Sequence, residues 1–134
     1  MKYFVLPHSR SKAGFSLVEV LAAVGIIGII SFLALPNIIA IKQDSERNLA
    51  ISRAEALNMA ISSYVQSKGR TKAISDWSAL SSEAERYAEL SPYLAFAPDA
   101  FSDFQPGGFT IDIPDDLTKL TKSGLKEGTS TVSY

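Results

Sequence analysis

The 134-residue chain contains no cysteine and a single histidine, His8. The first absence excludes a disulfide framework, thiolate metal sites and a cysteine nucleophile. The second all but removes histidine triads and histidine-rich metal centres, because the one imidazole lies near the N-terminus, ahead of the long apolar run. Without a histidine partner the serines make poor nucleophiles. Charge of one sign is also lacking. Thirteen basic residues against 14 acidic ones give a net charge of −1, which offers nucleic acid no basic footprint. The residue inventory therefore argues against an enzyme and against a nucleic-acid binder. The length fits one domain, or one domain with an appendage.

What is present is concentrated near one end. Residues 15–35 read FSLVEVLAAVGIIGIISFLAL, with Glu19 as the one charge. Roughly 20 apolar residues at about 1.5 Å per residue span the hydrocarbon of a bilayer, and a helix satisfies the backbone there. Ahead of the run stand Lys2, Arg10 and Lys12 with no acid, so the positive-inside rule keeps this end cytoplasmic and exports the C-terminal part. A plain signal peptide has a shorter apolar region and a small-residue cleavage site; here the run passes into Pro36 and Asn37 instead. An ordinary single-pass anchor explains everything except Glu19.

A carboxylate in a bilayer costs about 2.5–3.5 kcal/mol at the helix centre, so such a group is partnered or functional by default. The alternative is a carboxylate that snorkels or stays protonated. A cut just before Phe15 would create an α-amino group at the top of the helix. A neighbouring copy, shifted along the helix axis, would bring that amine to Glu19 more readily than the same chain can. Ala22, Gly25 and Gly28 recur at a spacing of three and form a small-residue ridge for close helix approach, although such residues are common in membrane helices.

The segment AGFSLVEVLAAVGIIGIISFLALPNI resembles the class III signal of type IV prepilins and type II secretion pseudopilins. That family has a short basic leader ending in glycine, a methylated residue that is usually phenylalanine, glutamate as the fifth mature residue and commonly proline as the twenty-second. Gly14, Phe15, Glu19 and Pro36 occupy those positions here. The resemblance implies cleavage between Gly14 and Phe15 by a prepilin peptidase of the bacterial inner membrane, followed by N-methylation of Phe15. It implies assembly with other copies and minor pseudopilins on an inner-membrane platform, with Glu19 neutralising a neighbour's Phe15 amine and Pro36 kinking or loosening the helix. The filament would lie in the periplasm or at the cell surface, and no cofactor is expected. Removing three of the 13 basic residues and none of the 14 acidic ones leaves a product of charge −4.

The absence of cysteine disfavours a disulfide-closed adhesive pilin, and the short head favours a pseudopilin that drives protein export. A pilin of a surface or DNA-uptake pilus and a membrane-anchored binding module are the alternatives. Some major pseudopilins bind calcium in a C-terminal loop. The cluster Asp112, Asp115 and Asp116 has the oxygen chemistry for it, but these are also ordinary turn formers and no loop here clearly matches, so no metal is assigned.

The expected architecture is α+β and pilin-like. It comprises a leader over 1–14, a transmembrane or filament-core helix over 15–35, an amphipathic continuation over 36–68 and a small head over 69–134. The continuation carries Ala50, Ala54, Leu57, Ile61 and Tyr64 or Val65 at 3.6-residue spacing, opposite Arg47, Glu55, Asn58 and Ser62. Lys68-Gly69 provides a helix stop. Residues 75–94 read as an interrupted helix with Ser75 or Asp76 as cap and a break at Ser91-Pro92. Trp77, Leu80, Ala84, Tyr87 and Leu94 form its apolar side. The KGRTK stretch reads as a solvated loop. Phe96, Phe101, Phe104 and Phe109 are read as a small core, with a surface patch as the alternative. Phe109, Ile111 and Ile113 alternate as a strand, LTKLTKSGL suggests a second, and TSTVSY a third, giving two or three antiparallel strands.

Overall fold

A computed structural model describes residues 14–134. The basic leader up to residue 13 lies outside the described residues. The fold is α+β, a long N-terminal helix followed by small helices and a three-stranded antiparallel sheet. Helix α1 covers Leu17–Lys68, α2 Arg70–Ser78, α3 Glu83–Leu90, with a 3-10 turn at Ser91–Tyr93, and α4 is a single turn at Phe101–Phe104. Strands β1 (Phe109–Asp112), β2 (Gly124–Glu127) and β3 (Ser130–Thr131) pair in that order. The chain divides into two units, the second being Ile41–Tyr134.

In the first unit the helix buries nothing of its apolar 18-residue window, whose mean hydropathy is 2.5. Pro36 removes one backbone hydrogen bond, yet α1 continues through it.

The second unit forms around the apolar stripe of α1. Ala50, Ala54, Leu57, Ala60, Ile61 and Tyr64 are buried, the three- and four-residue spacing that one helix face presents. Complete burial of a side chain such as Leu57 contributes about 1.5–3 kcal/mol. Tyr64 meets Trp77 of α2 with ring centroids 5.4 Å apart, and Tyr87 of α3 meets Phe101 at 5.1 Å and Phe104 at 5.4 Å. The polar tips of the large aromatics find carbonyls: Trp77 Nε1 donates to Pro114 O at 2.9 Å, and the Tyr87 hydroxyl to Pro98 O at 2.8 Å. On the sheet, Phe109 and Ile111 face inward while Thr110 is exposed, and β1 pairs with β2 through Ile111 opposite Leu125. Gly124 lies where an added Cβ would come within 3.2 Å of the Asp112 Cβ, so a larger residue there would have to push the facing strand aside.

Several local expectations need correction. Ser75 and Asp76 lie inside α2, which starts at Arg70 directly after the single residue Gly69, held at φ 80° and ψ 143°. The KGRTK stretch is therefore a helix junction, not a loop. Lys68 Nζ donates to Glu89 at 3.0 Å and Asp76 at 3.3 Å, and those partners, Glu89 foremost, hold its pKa above the usual lysine range. The true cap is Ser82, which starts α3 through a capping box with Glu85. The LTKLTKSGL segment contributes only its last two residues to a strand, because β2 begins at Gly124. Asn58 faces the sheet instead of solvent, its Oδ1 accepting from Ser123 N at 2.8 Å. Phe101, Phe104 and Phe109 are core, but Phe96 is fully exposed at φ 56°.

Candidate functional site

Ser16 and Glu19, three residues apart in sequence, shape the first turn of α1. Gly14, Phe15 and Ser16 precede the helix without regular structure. The Gly14–Phe15 peptide thus lies ahead of the helix. Phe15 is 89% exposed. Ser16 caps the helix: its Oγ accepts from Val18 N at 3.3 Å, and the Glu19 carboxylate accepts from Ser16 N at 2.8 Å. Glu19 therefore satisfies a backbone donor that the helix start leaves open, and its charge faces the positive end of the helix dipole. The S-x-x-E spacing of Ser16 and Glu19 is the sequence signal of this cap, and it goes unseen when Glu19 is read only as an isolated intramembrane carboxylate.

Phe15, Glu19, Val20, Ala23 and Val24 line a shallow hollow of about 380 Å³ at this end of the helix. Beyond it Leu17, Val18, Leu21, Ile26, Ile27, Ile29 and Ile30 are each more than half exposed. Gly25 and Gly28 have open space where a side chain would be. An exposed apolar helix that carries one capped carboxylate at its start is a surface for lipid or for other helices.

Residues 9–35 match the family model of the prokaryotic N-terminal methylation motif. The chain carries a class III signal. No curated protein and no solved structure matches the chain. That motif is the class III signal peptide found on type IV pilins and pseudopilins. Together with the apolar helix it points to membrane anchoring.

The aspartates around β1 have other employment. Asp112 forms an ion pair with Lys126, while Asp116 accepts from both the backbone N–H and the hydroxyl of Thr118. Those two Thr118 bonds hold the Asp116 carboxyl below its ordinary pKa. Among the described residues, no group of three or more acidic or histidine side chains is arranged to hold a metal ion.

Proposed function

We infer that the protein is a structural subunit of a type IV pilus-like filament, a pseudopilin of a type II secretion system. The observation that carries this reading is the methylation motif lying over an exposed apolar helix that starts at Leu17, directly after Phe15 and Ser16, and holds Glu19 in its first turn. Prepilin peptidase cuts after Gly14 and Phe15 is N-methylated. The leader over 1–14 stays cytoplasmic, the segment over 15–35 waits in the inner membrane, and the part beyond it is exported. On assembly the helix leaves lipid for a core of like helices. The amine of Phe15 on an incoming copy then meets Glu19 of its neighbour, and the pair removes two charges from an apolar core at once. Pro36 loosens the helix at the end of the apolar run. The partners are the peptidase, other copies, minor pseudopilins and the inner-membrane platform, and the filament's extension does mechanical work on exported protein.

Mass analysis of the membrane-extracted protein tests the processing step: its N-terminus should be methylated Phe15. A retained leader in cells that contain the peptidase refutes it. Loss of protein export, with surface fibres unchanged, on deletion of the gene separates the pseudopilin from a surface or DNA-uptake pilin. A membrane-anchored binding module would show neither a methylated terminus nor fibres.

A further inference from the structure

Phe96 is the one large aromatic of the C-terminal unit that takes no part in the core. It is fully exposed, and its backbone sits at φ 56°, a left-handed conformation that a bulky residue rarely adopts. Strain of this kind, combined with an apolar side chain held in water, is found where a residue serves a binding surface. Phe96 stands at the edge of a hollow that also includes Ser52, Arg53 and Ala56 of α1. Asp99 lies beside it and takes part in no ion pair among the described residues.

A second hollow, of about 150 Å³, is lined by Asn58, Ile61, Ser62, Leu120, Thr121 and Lys122. It is open to solvent, and Ile61 and Leu120 supply its apolar lining. Leu120 projects at its rim, 64% exposed, and Lys122 adds a positive charge, its Nζ donating to Tyr134 O at 3.0 Å but forming no ion pair with a carboxylate side chain among the described residues. At about 100° per residue, Ser52, Arg53 and Ala56 fall on one flank of the buried stripe of α1, and Asn58 and Ser62 on the other. The two groups are offset by about six residues, or roughly 9 Å along the helix axis. A knob and a hollow on opposite flanks make a head-to-tail contact, and the axial step prevents ring closure, so repetition gives an open helical array.

We propose that Phe96 of one copy seats in the Ile61–Leu120 hollow of the next, with Asp99 meeting Lys122 across the contact. The occupant is a second copy of this chain, because one chain carries the ring on one flank and the hollow on the other, with an acidic group beside the first and a basic group beside the second. The proposal rests on the filament reading and adds to it a specific contact between exported units.

The test uses the full-length chain in a host with its peptidase and assembly platform. A photo-reactive benzoylphenylalanine at position 96 keeps an aromatic ring there. Irradiation should yield a ladder of multimers in which position 96 is joined to a peptide containing residues 58–62 or 120–122. Phe96→Gly, made without the photoprobe, should leave the thermal midpoint of the protein unchanged or raised, since glycine accepts this φ, while lowering the yield of sedimentable filaments at least about tenfold, as expected on removing an aromatic anchor. Asp99→Lys should lower the yield, and adding Lys122→Asp should restore it. If microscopy shows filaments but the cross-links go to another surface, to another protein or nowhere, or if Phe96→Gly assembles normally, the contact is refuted and the filament reading survives. If the unsubstituted chain forms no filaments, both fall.

Discussion

Asn58 and Ser123 are 65 positions apart in sequence, and the Ser123 N–H donates to the Asn58 side-chain oxygen at 2.8 Å. The Asn58 amide in turn donates to the Tyr134 hydroxyl at 3.2 Å, and that hydroxyl donates to the Ser123 carbonyl. The ring of three hydrogen bonds ties α1 to the residue just before β2. It also satisfies both backbone polar groups of a residue only 2% exposed.

Asn58→Leu should therefore destabilise the C-terminal unit by about 1–3 kcal/mol, the cost of leaving a buried donor without a partner. Chemical denaturation followed by the fluorescence of Trp77 measures it. A change below a few tenths of a kcal/mol would mean that water replaces the amide.

Glu19 has two separable duties. Glu19→Gln keeps a side-chain acceptor for Ser16 N and so preserves the helix start, but removes the charge. Glu19→Ala removes both. Both variants should insert in the membrane and be processed to methylated Phe15. Neither should enter filaments, and only Glu19→Ala should lower the helicity of the first turn. Filaments formed by Glu19→Gln would show that capping, not charge neutralisation, is what the carboxylate provides.

Gly69 joins α1 to α2 at φ 80° and ψ 143°, a region open to glycine almost alone. Gly69→Val should cost about 1–3 kcal/mol even though nothing occupies the space around the position. Thermal melting of the full chain in detergent should show the loss. Gln66→Val, at an exposed position within α1, serves as the control and should melt close to the unsubstituted chain.

Acid should weaken the C-terminal unit through three carboxylates. Asp76 is held below its ordinary pKa of 3.8 chiefly by Lys72, Glu85 below 4.5 by the Ser81 backbone N–H, and Asp116 below 3.8 by Thr118. A depressed native pKa means that the folded state binds fewer protons than the unfolded one. The stabilisation is complete above about pH 5 and is lost as pH falls through 4.5 and 3.8 toward the native values. Lys68 and Lys126 have raised values, by Glu89 and Asp112 respectively, so their contribution is present at neutral pH and is lost only as pH rises above 10.5. A denaturation midpoint measured from about pH 3 to 7 should rise to a plateau, and Glu85→Gln should flatten the acid limb.

The apolar helix, the buried stripe through Ala50, Ala54, Leu57, Ile61 and Tyr64, and the strand Phe109–Asp112 could all be read from residue order. Each depends on a local repeat, 3.6 or 2 residues long, with apolar side chains on one face. The methylation motif over residues 9–35 was legible for a related reason, since it is written in consecutive residues. The structure adds the Ser16–Glu19 cap, which the same residues also spell out but which the cost of burying a carboxylate in lipid overshadowed.

Other features had no local cause. Two phenylalanines five residues apart, Phe96 and Phe101, sit in similar proline-containing surroundings, yet one is solvent-exposed and the other packs on Tyr87. Asn58 has a polar side chain on a helix, and only the arrival of Ser123 turns it from a solvent-facing residue into a tie between helix and sheet. Periodicity assigns a face to each residue; which faces meet depends on how the loops return the chain. That return is decided by the summed packing of the whole unit, so the helix and its signal were determined by sequence alone, while the exposure of Phe96 and the bonding of Asn58 were decided only by tertiary structure.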